Sequence, residues 1–287
     1  MKKLIINCDD FGISESTNIA ILECLKKKRA TSTSILSNSK YFYHAVYNYK
    51  KKIRSKNIGI HLNITEGKAL SKKSFMVLTD NNNNFNIKPE IFFLHNYFKI
   101  NKIKKAIYHE FKKQIQNVIE SNLVITHIDT HQHVHYSPFI FTIIKILSKE
   151  FKINKIRKID EKFNVNCFFK NFKFKFHNNN YLKYLLLKIF KRKDFNKKNT
   201  SDYFFGILNS GKIQLNELLL YIDKINENKT IELCIHPSNH TNKSLDSKFS
   251  DFYENKDRQH EKKLLLSKKF INELAKRHVK ILPFSAY

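Results

Sequence analysis

The nine residues His127-Ile128-Asp129-Thr130-His131-Gln132-His133-Val134-His135 place four imidazoles and a carboxylate directly after the apolar run Leu123-Val124-Ile125-Thr126. The apolar run reads as a buried strand. If that strand continues, its two-residue period puts His127, Asp129, His131, His133 and His135 on one face and Ile128, Thr130, Gln132 and Val134 on the other. A one-sided row of nitrogen and oxygen donors is hard to place in an apolar core. Each buried imidazole needs hydrogen-bond partners, and each ring nitrogen without a proton is a potential metal ligand. The stretch is expected to form the mouth of a metal site.

Three other chemical groups sit where strands should end. Leu4-Ile5-Ile6 is a short apolar run that delivers Asp9-Asp10-Phe11-Gly12. Two adjacent acids repel, and burial raises a carboxylate pKa, so such a pair is costly unless something uses it. A divalent cation would relieve one acid and leave the other to act as a base. The plainer alternative is a helix cap, since Ser14 and Ser16 precede the helical stretch Asn18 to Lys28. His61 lies near the end of the apolar run Ile58 to Asn63, and His236 follows the buried run Thr230 to Ile235. Strand ends are where α/β proteins assemble their sites.

The elements that must carry these groups alternate along the chain. Thr31 to Leu36, Phe151 to Ile159 (with Arg157) and Val279 to Leu282 read as further strands. Helices are expected over Tyr41 to Lys51, Asn101 to Ser121, Pro138 to Glu150, Ile213 to Asn226 and Arg258 to Arg277, with a polar loop from Ser71 to Asn86. Such alternation implies parallel strands joined by helices, in a barrel or an open sheet. No Gly-rich dinucleotide loop is present and the chemical residues sit at many strand ends, so a barrel fits better. The expected class is α/β: a (β/α) TIM-barrel-like single domain over residues 1–287, distorted or with fewer than eight strands.

Composition narrows the partners. Hydrophobic residues at 41% and aromatics at 13% can bury a large core. The net charge of +28 invites a polyanion. However, the lysines are spread through nearly every segment, and no zinc-finger spacing or helix-turn-helix is evident, so no specific nucleic-acid partner is expected. A peripheral contact with an anionic surface and a homodimer stay open. Cys8, Cys24, Cys167 and Cys234 lack paired spacing and are expected to be reduced, mostly buried thiols. The first apolar run is short and closed by acids, so no export signal or transmembrane helix is expected and the protein is placed in the cytoplasm. From Cys167 to Lys198, Lys alternates with Phe, Tyr and Leu. This segment reads as a lid, as a basic amphipathic surface or as plain solvated structure with buried aromatics.

Five blocks, in order, resemble the YdjC-like carbohydrate deacetylases, a family that includes chito-oligosaccharide deacetylases and a hopanoid-associated branch. They are Leu4 to Gly12 with Thr31 to Ser34, Gly59 to Gly67, His127 to His135, Glu232 to Pro237, and Arg258 to Glu261. The resemblance implies a barrel-like fold and a divalent metal, Mg2+ or Zn2+, held by Asp10, His61 and His131. It further implies Asp9 as base and His236 as acid in removing an acetyl group from an N-acetylated sugar. Asp129 is then expected to orient a ligand imidazole, His127, His133 and His135 to do the same or bind substrate, and Arg258 to pair with Asp9. This chain departs from the pattern at Cys8, where the family often has Ala, and at Ser238, where Gly would accept positive φ more readily. Residues from about 163 to 198 match no motif and are expected to form an insertion or lid that sets specificity. Two other classes remain: another metal-dependent amidohydrolase or phosphoesterase, and a carbohydrate-binding barrel without catalysis.

Overall fold

In the computed structural model, which describes residues 1–53, 57–93, 100–162, 179–191, 195, 199–239, 249 and 256–286, strand β1 (Lys3–Phe11) is the centre of the sheet. Beside it run β2 (Ser32–Ile35), β3 (Ile58–Leu62), β4 (Ile125–Thr130), β5 (Tyr203–Phe205) and β6 (Thr230–Ile235), all parallel, in the order β4-β3-β2-β1-β6-β5. One edge of β1 is taken by β6 from Lys3 to Cys8. The other is divided: β7 (Lys280–Ile281) pairs at Lys3 and Leu4, and β2 begins at Asn7.

Helices α1 (Glu15–Lys26), α2 (Phe42–Lys52), α3 (Ile100–Glu120) and α4 (Pro138–Glu150) fall in the first half of the chain, followed by α5 (Asn179–Ile189), α6 (Leu215–Asp223), α7 (Asp257–Leu266) and α8 (Lys268–Lys276). Local chemistry sets their starts. Ser14 caps α1 by accepting from the Thr17 amide at 3.2 Å, and Pro138 opens α4, where a missing N–H costs nothing.

The sheet curls into a distorted, incomplete (β/α) barrel. The gap between its edge strands is spanned by the backbone of Lys155 to Asp160. The Ile128 amide donates to the Lys155 carbonyl at 2.8 Å, the Arg157 amide to the Ile128 carbonyl at 2.9 Å, and the Phe204 amide to the Asp160 carbonyl at 3.3 Å. The strand expected at Phe151 to Ile159 is therefore a single bridge, Ile128 to Ile156, because the segment meets each neighbour too briefly to form a ladder.

Alternation gives most strands an outer apolar face and a largely polar inner one, with Ile5 of β1 and Phe204 of β5 as inward apolar exceptions. Leu4, Ile6 and Cys8 join the apolar core shared with the helices. Asn7 and Asp9 point the other way, where Asn7 Nδ2 donates to Asp9 Oδ1 and to Ser34 Oγ, both at 2.8 Å. Gly59 and His61, His127 and Asp129, and Glu232 and Cys234 occupy the corresponding alternate positions. Gly59 is demanded by this packing: a Cβ there would lie 2.3 Å from His127 Nε2, and His127 is stacked on Phe284 at 3.9 Å. Gly59→Ala is expected to destabilise the protein by about 1–3 kcal/mol through overpacking. The check is the urea midpoint, and an unchanged midpoint would contradict the packing argument.

Two further expectations are revised. The row from His127 to His135 does not stay a strand: β4 stops at Thr130, and Gln132 (φ 52) and His133 (φ 59) turn left-handed within a 3-10 segment, His131–Tyr136. The single helix expected from Arg258 to Arg277 is broken at Ser267, whose extended backbone ends α7 and whose hydroxyl caps α8 at the Phe270 amide. Strand β5 carried no distinct sequence signal. Of the segment at 163–198, only 179–191 and 195 are among the described residues; Cys167 lies outside them, whereas Cys8, Cys24 and Cys234 are buried free thiols.

Candidate active site

In a regular strand Asp9 and Asp10 would point to opposite faces. Asp10 instead adopts a left-handed conformation (φ 67), beside the irregularity between Cys8 and Phe11, and both acids line one cavity of about 620 Å³. His61, His131, His133 and His236 line it too. Pro89, Phe93, Leu182, Leu186 and Leu187 add apolar surface to the same cavity, with Glu90 and Lys183 among them.

Asp10, His61 and His131 form a triangle. His61 Nε2 is 3.2 Å from His131 Nδ1, Asp10 Oδ1 is 3.5 Å from His61 Nε2 and 3.4 Å from His131 Nδ1. Ligands bound at about 2.1 Å around a tetrahedral ion stand about 3.4 Å apart, so the triangle has the dimensions of a metal-ligand face. The lone pairs are aimed as well. His61 Nδ1 lies 2.6 Å from Asp129 Oδ1, and His131 Nε2 lies 3.1 Å from Glu66 Oε2. Protons donated to those carboxylates leave His61 Nε2 and His131 Nδ1 as acceptors facing Asp10. These residues fit a divalent cation. Burial opposes charge on His61, but Asp129, Asp10 and Asp9 together hold its pKa up at about 10, so a proton competes with a cation for the same lone pair.

Asp9 belongs to a different network. Arg157 clamps it bidentately, Nη1 to Oδ2 at 2.6 Å and Nη2 to Oδ1 at 2.7 Å. The same guanidinium reaches Glu232 Oε1 through Nε at 2.6 Å and Asp129 Oδ2 through Nη2 at 2.9 Å. Burial would raise the Asp9 pKa, and Arg157 overrides it, holding the carboxyl well below the usual range. Glu232, with one oxygen on the same arginine, is still pushed by burial to about 7. Arg258, expected on Asp9, donates instead to Asp10 Oδ2 at 2.9 Å, because Arg157 already occupies both oxygens of Asp9. His236 faces the cavity from the end of β6, with Glu261 Oε2 accepting from its backbone amide at 2.6 Å and standing 3.6 Å from its Nδ1.

The other histidines separate. His133 lines the cavity and its Nδ1 lacks a hydrogen-bond partner among the described residues. His127 lies deeper, with Nε2 3.1 Å from Ser34 Oγ, and His135 turns away, with Nδ1 2.6 Å from Thr130 Oγ1 and Nε2 3.2 Å from the Arg157 carbonyl. Neither touches the cavity. Burial holds both neutral, with pKa lowered from 6.5 to about 3. In an unfolded chain they protonate near pH 6.5. Their contribution to stability is therefore complete above that pH and is lost as pH falls toward 3, at up to about 1.4 kcal/mol per pH unit per histidine. His61 has the opposite sign: its stabilising contribution is complete below pH 6.5 and fades as pH rises toward 10. Urea midpoints are expected to fall steeply below pH 6.5, and His127→Asn to flatten that acid limb. An acid limb of the same slope in the variant would contradict the assignment.

Arg157, Glu66, Glu261 and Cys234 were not read as site residues from sequence. Glu66 and Glu261 lie inside the quoted blocks, and Arg157 at an alternate position of an expected strand, so weak signals were present.

The fold and the site define a distorted (β/α) barrel with a one-carboxylate, two-imidazole candidate cation site at the C-terminal ends of its strands. The chain belongs to the YdjC-like family, whose profile matches residues 3–276. It is 36% identical over 156 residues to a carbohydrate deacetylase of Clostridium beijerinckii, a match covering 53% of this chain and 58% of that one. It is 32% identical over 151 residues to a carbohydrate deacetylase of Brevibacillus brevis, covering 53% and 57%. The matches thus span somewhat over half the length of these relatives. A crystal structure of an Enterococcus faecalis V583 protein named for cellobiose-phosphate cleavage superposes with a TM-score of 0.71 over 99% of this chain and 98% of that one, at 21% identity. No helix among the described residues is long and apolar enough to cross a membrane.

Proposed function

We propose that this protein hydrolyses the acetamide of an N-acetylated sugar, using a divalent cation held by Asp10, His61 and His131. The observation that carries the reading is the triangle of ligand atoms with both imidazole lone pairs turned inward, beside Asp9 and His236 in one cavity. The names of the deacetylase relatives support the sugar and the acetyl group. Two imidazoles and one carboxylate suit zinc better than magnesium, which prefers all-oxygen surroundings. When bound, such a cation polarises an amide carbonyl and acidifies water.

The residues of the chain supply the rest. Asp9 takes a proton from the attacking water. Its pairing with Arg157 keeps it ionised and lowers its proton affinity, so it can act only on water already made acidic. His236, oriented by Glu261, gives a proton to the departing nitrogen, since an amide nitrogen leaves poorly without one. Asp129 and Glu66 hold the two ligand imidazoles in the productive tautomer. Phe93, Leu182 and Leu186 offer apolar surface on which one face of a sugar ring can lie.

The test is acetate release from N-acetylated sugars, from disaccharide to longer and lipid-linked forms, using chelator-treated protein with and without restored cation. Acetate that appears only with cation supports the reading. Phosphate or ammonia in its place would move the protein to a phosphoesterase or a different amidohydrolase, and no product from any substrate, with cation bound, to a binding barrel.

A further inference from the structure

We infer a second cation site, formed by Asp9, Cys234 and His236, that takes a thiophilic divalent cation of the zinc class and, when filled, blocks turnover. The block rests on the catalytic reading above; the binding does not. Cys234 Sγ lies 3.1 Å from Asp9 Oδ2, to which it donates, and 3.9 Å from His236 Nε2. The three ligand atoms all fall within 4.8 Å of one another, and the three residues are buried. Zinc with a bond of about 2.3 Å to sulfur and about 2.1 Å to nitrogen or oxygen sets its ligands about 3.6 Å apart, a value the two measured edges straddle.

The imidazole is held through its backbone, whose amide donates to Glu261 Oε2 at 2.6 Å, and its Nε2 faces the thiol; Glu261 stands 3.6 Å from Nδ1, a looser contact than the 2.6 Å between Asp129 and His61. No residue is shared with the Asp10, His61 and His131 triangle, so both sites can fill together. They differ in softness: a sulfur ligand favours zinc or cadmium and rejects magnesium. Entry is an exchange. The S–H bond breaks, its proton leaves to solvent, and the sulfur and Asp9 Oδ2, previously joined through that proton, become joined through the cation. The Arg157 guanidinium on Asp9 and the Lys183 ammonium facing the same cavity oppose the added charge, so this site is the weaker of the two. Filling it ties up the groups assigned to proton transfer, so cation beyond the first equivalent inhibits.

Cadmium titration of the full-length protein tests this without any substrate. Two equivalents are expected to bind, and only the weaker should bring the ultraviolet sulfur-to-cadmium charge-transfer band. Cys234→Ser should remove the band, keep the first equivalent, and raise the midpoint of zinc inhibition by at least about tenfold. A band that survives Cys234→Ser would arise from another cysteine and overturn the proposal, as would its absence in the wild-type protein at millimolar cadmium. Should the variant fail to fold, 113Cd NMR on wild-type protein decides: two resonances, one shifted by a sulfur ligand, support the site, and nitrogen and oxygen ligation alone rules it out. If no acetate is ever released, the band still reports on the site.

Discussion

Arg157→Met is expected to leave little folded protein at neutral pH. The guanidinium is fully buried and is the shared counter-charge of Asp9, Asp129 and Glu232. Methionine fills much of the volume but provides no donor, so three carboxylates would face one another inside the ring. Removing one partner of a buried ion pair costs about 3–5 kcal/mol, and here one partner serves three acids, against a total stability of about 5–15 kcal/mol for a typical domain. Soluble yield and the urea midpoint report the loss. Arg157→Lys should be intermediate, since an ammonium retains the charge but cannot fork to three carboxylates. A Met variant as stable as the parent would mean that the ring interior does not depend on this charge.

Asp10→Asn and Asp9→Asn should separate binding from turnover. Asn at position 10 keeps the shape of the triangle but loses its only negative charge. Cation affinity is expected to fall by more than about 100-fold and acetate release to vanish with it. Asn at position 9 leaves the triangle intact. Bound cation should be retained, measured by metal analysis after dialysis, while turnover drops by about 10²–10⁴, the usual contribution of a positioned base. Because Asp9 also pairs with Arg157, a melting curve must accompany this variant. A fully active Asp9→Asn protein would overturn the base assignment, and an Asp10→Asn protein with its full metal complement would overturn the ligand assignment.

Local patterns in the chain were enough for most strands and helices, though not for β5 or α5, and for the delivery of Asp9, Asp10, His61 and His236 to strand ends. Strand alternation and helix periodicity are properties of neighbouring residues, so they can be read locally. The row from His127 to His135 was legible as chemistry but not as geometry, because the strand ends at Thr130 and the left-handed residues Gln132 and His133 then turn the chain so that His131 and His133 line the cavity while His127 and His135 do not. Helix breakage at Ser267 was equally hidden, since a serine both interrupts α7 and caps α8. Tertiary structure alone decided which charges meet. Arg157 joins residues 9, 129 and 232, Arg258 reaches Asp10 across 248 positions, and Cys234 meets Asp9 across 225. Such pairings depend on how the sheet curls and on which inward-facing side chains can neutralise one another there, and no local pattern in the chain encodes that choice.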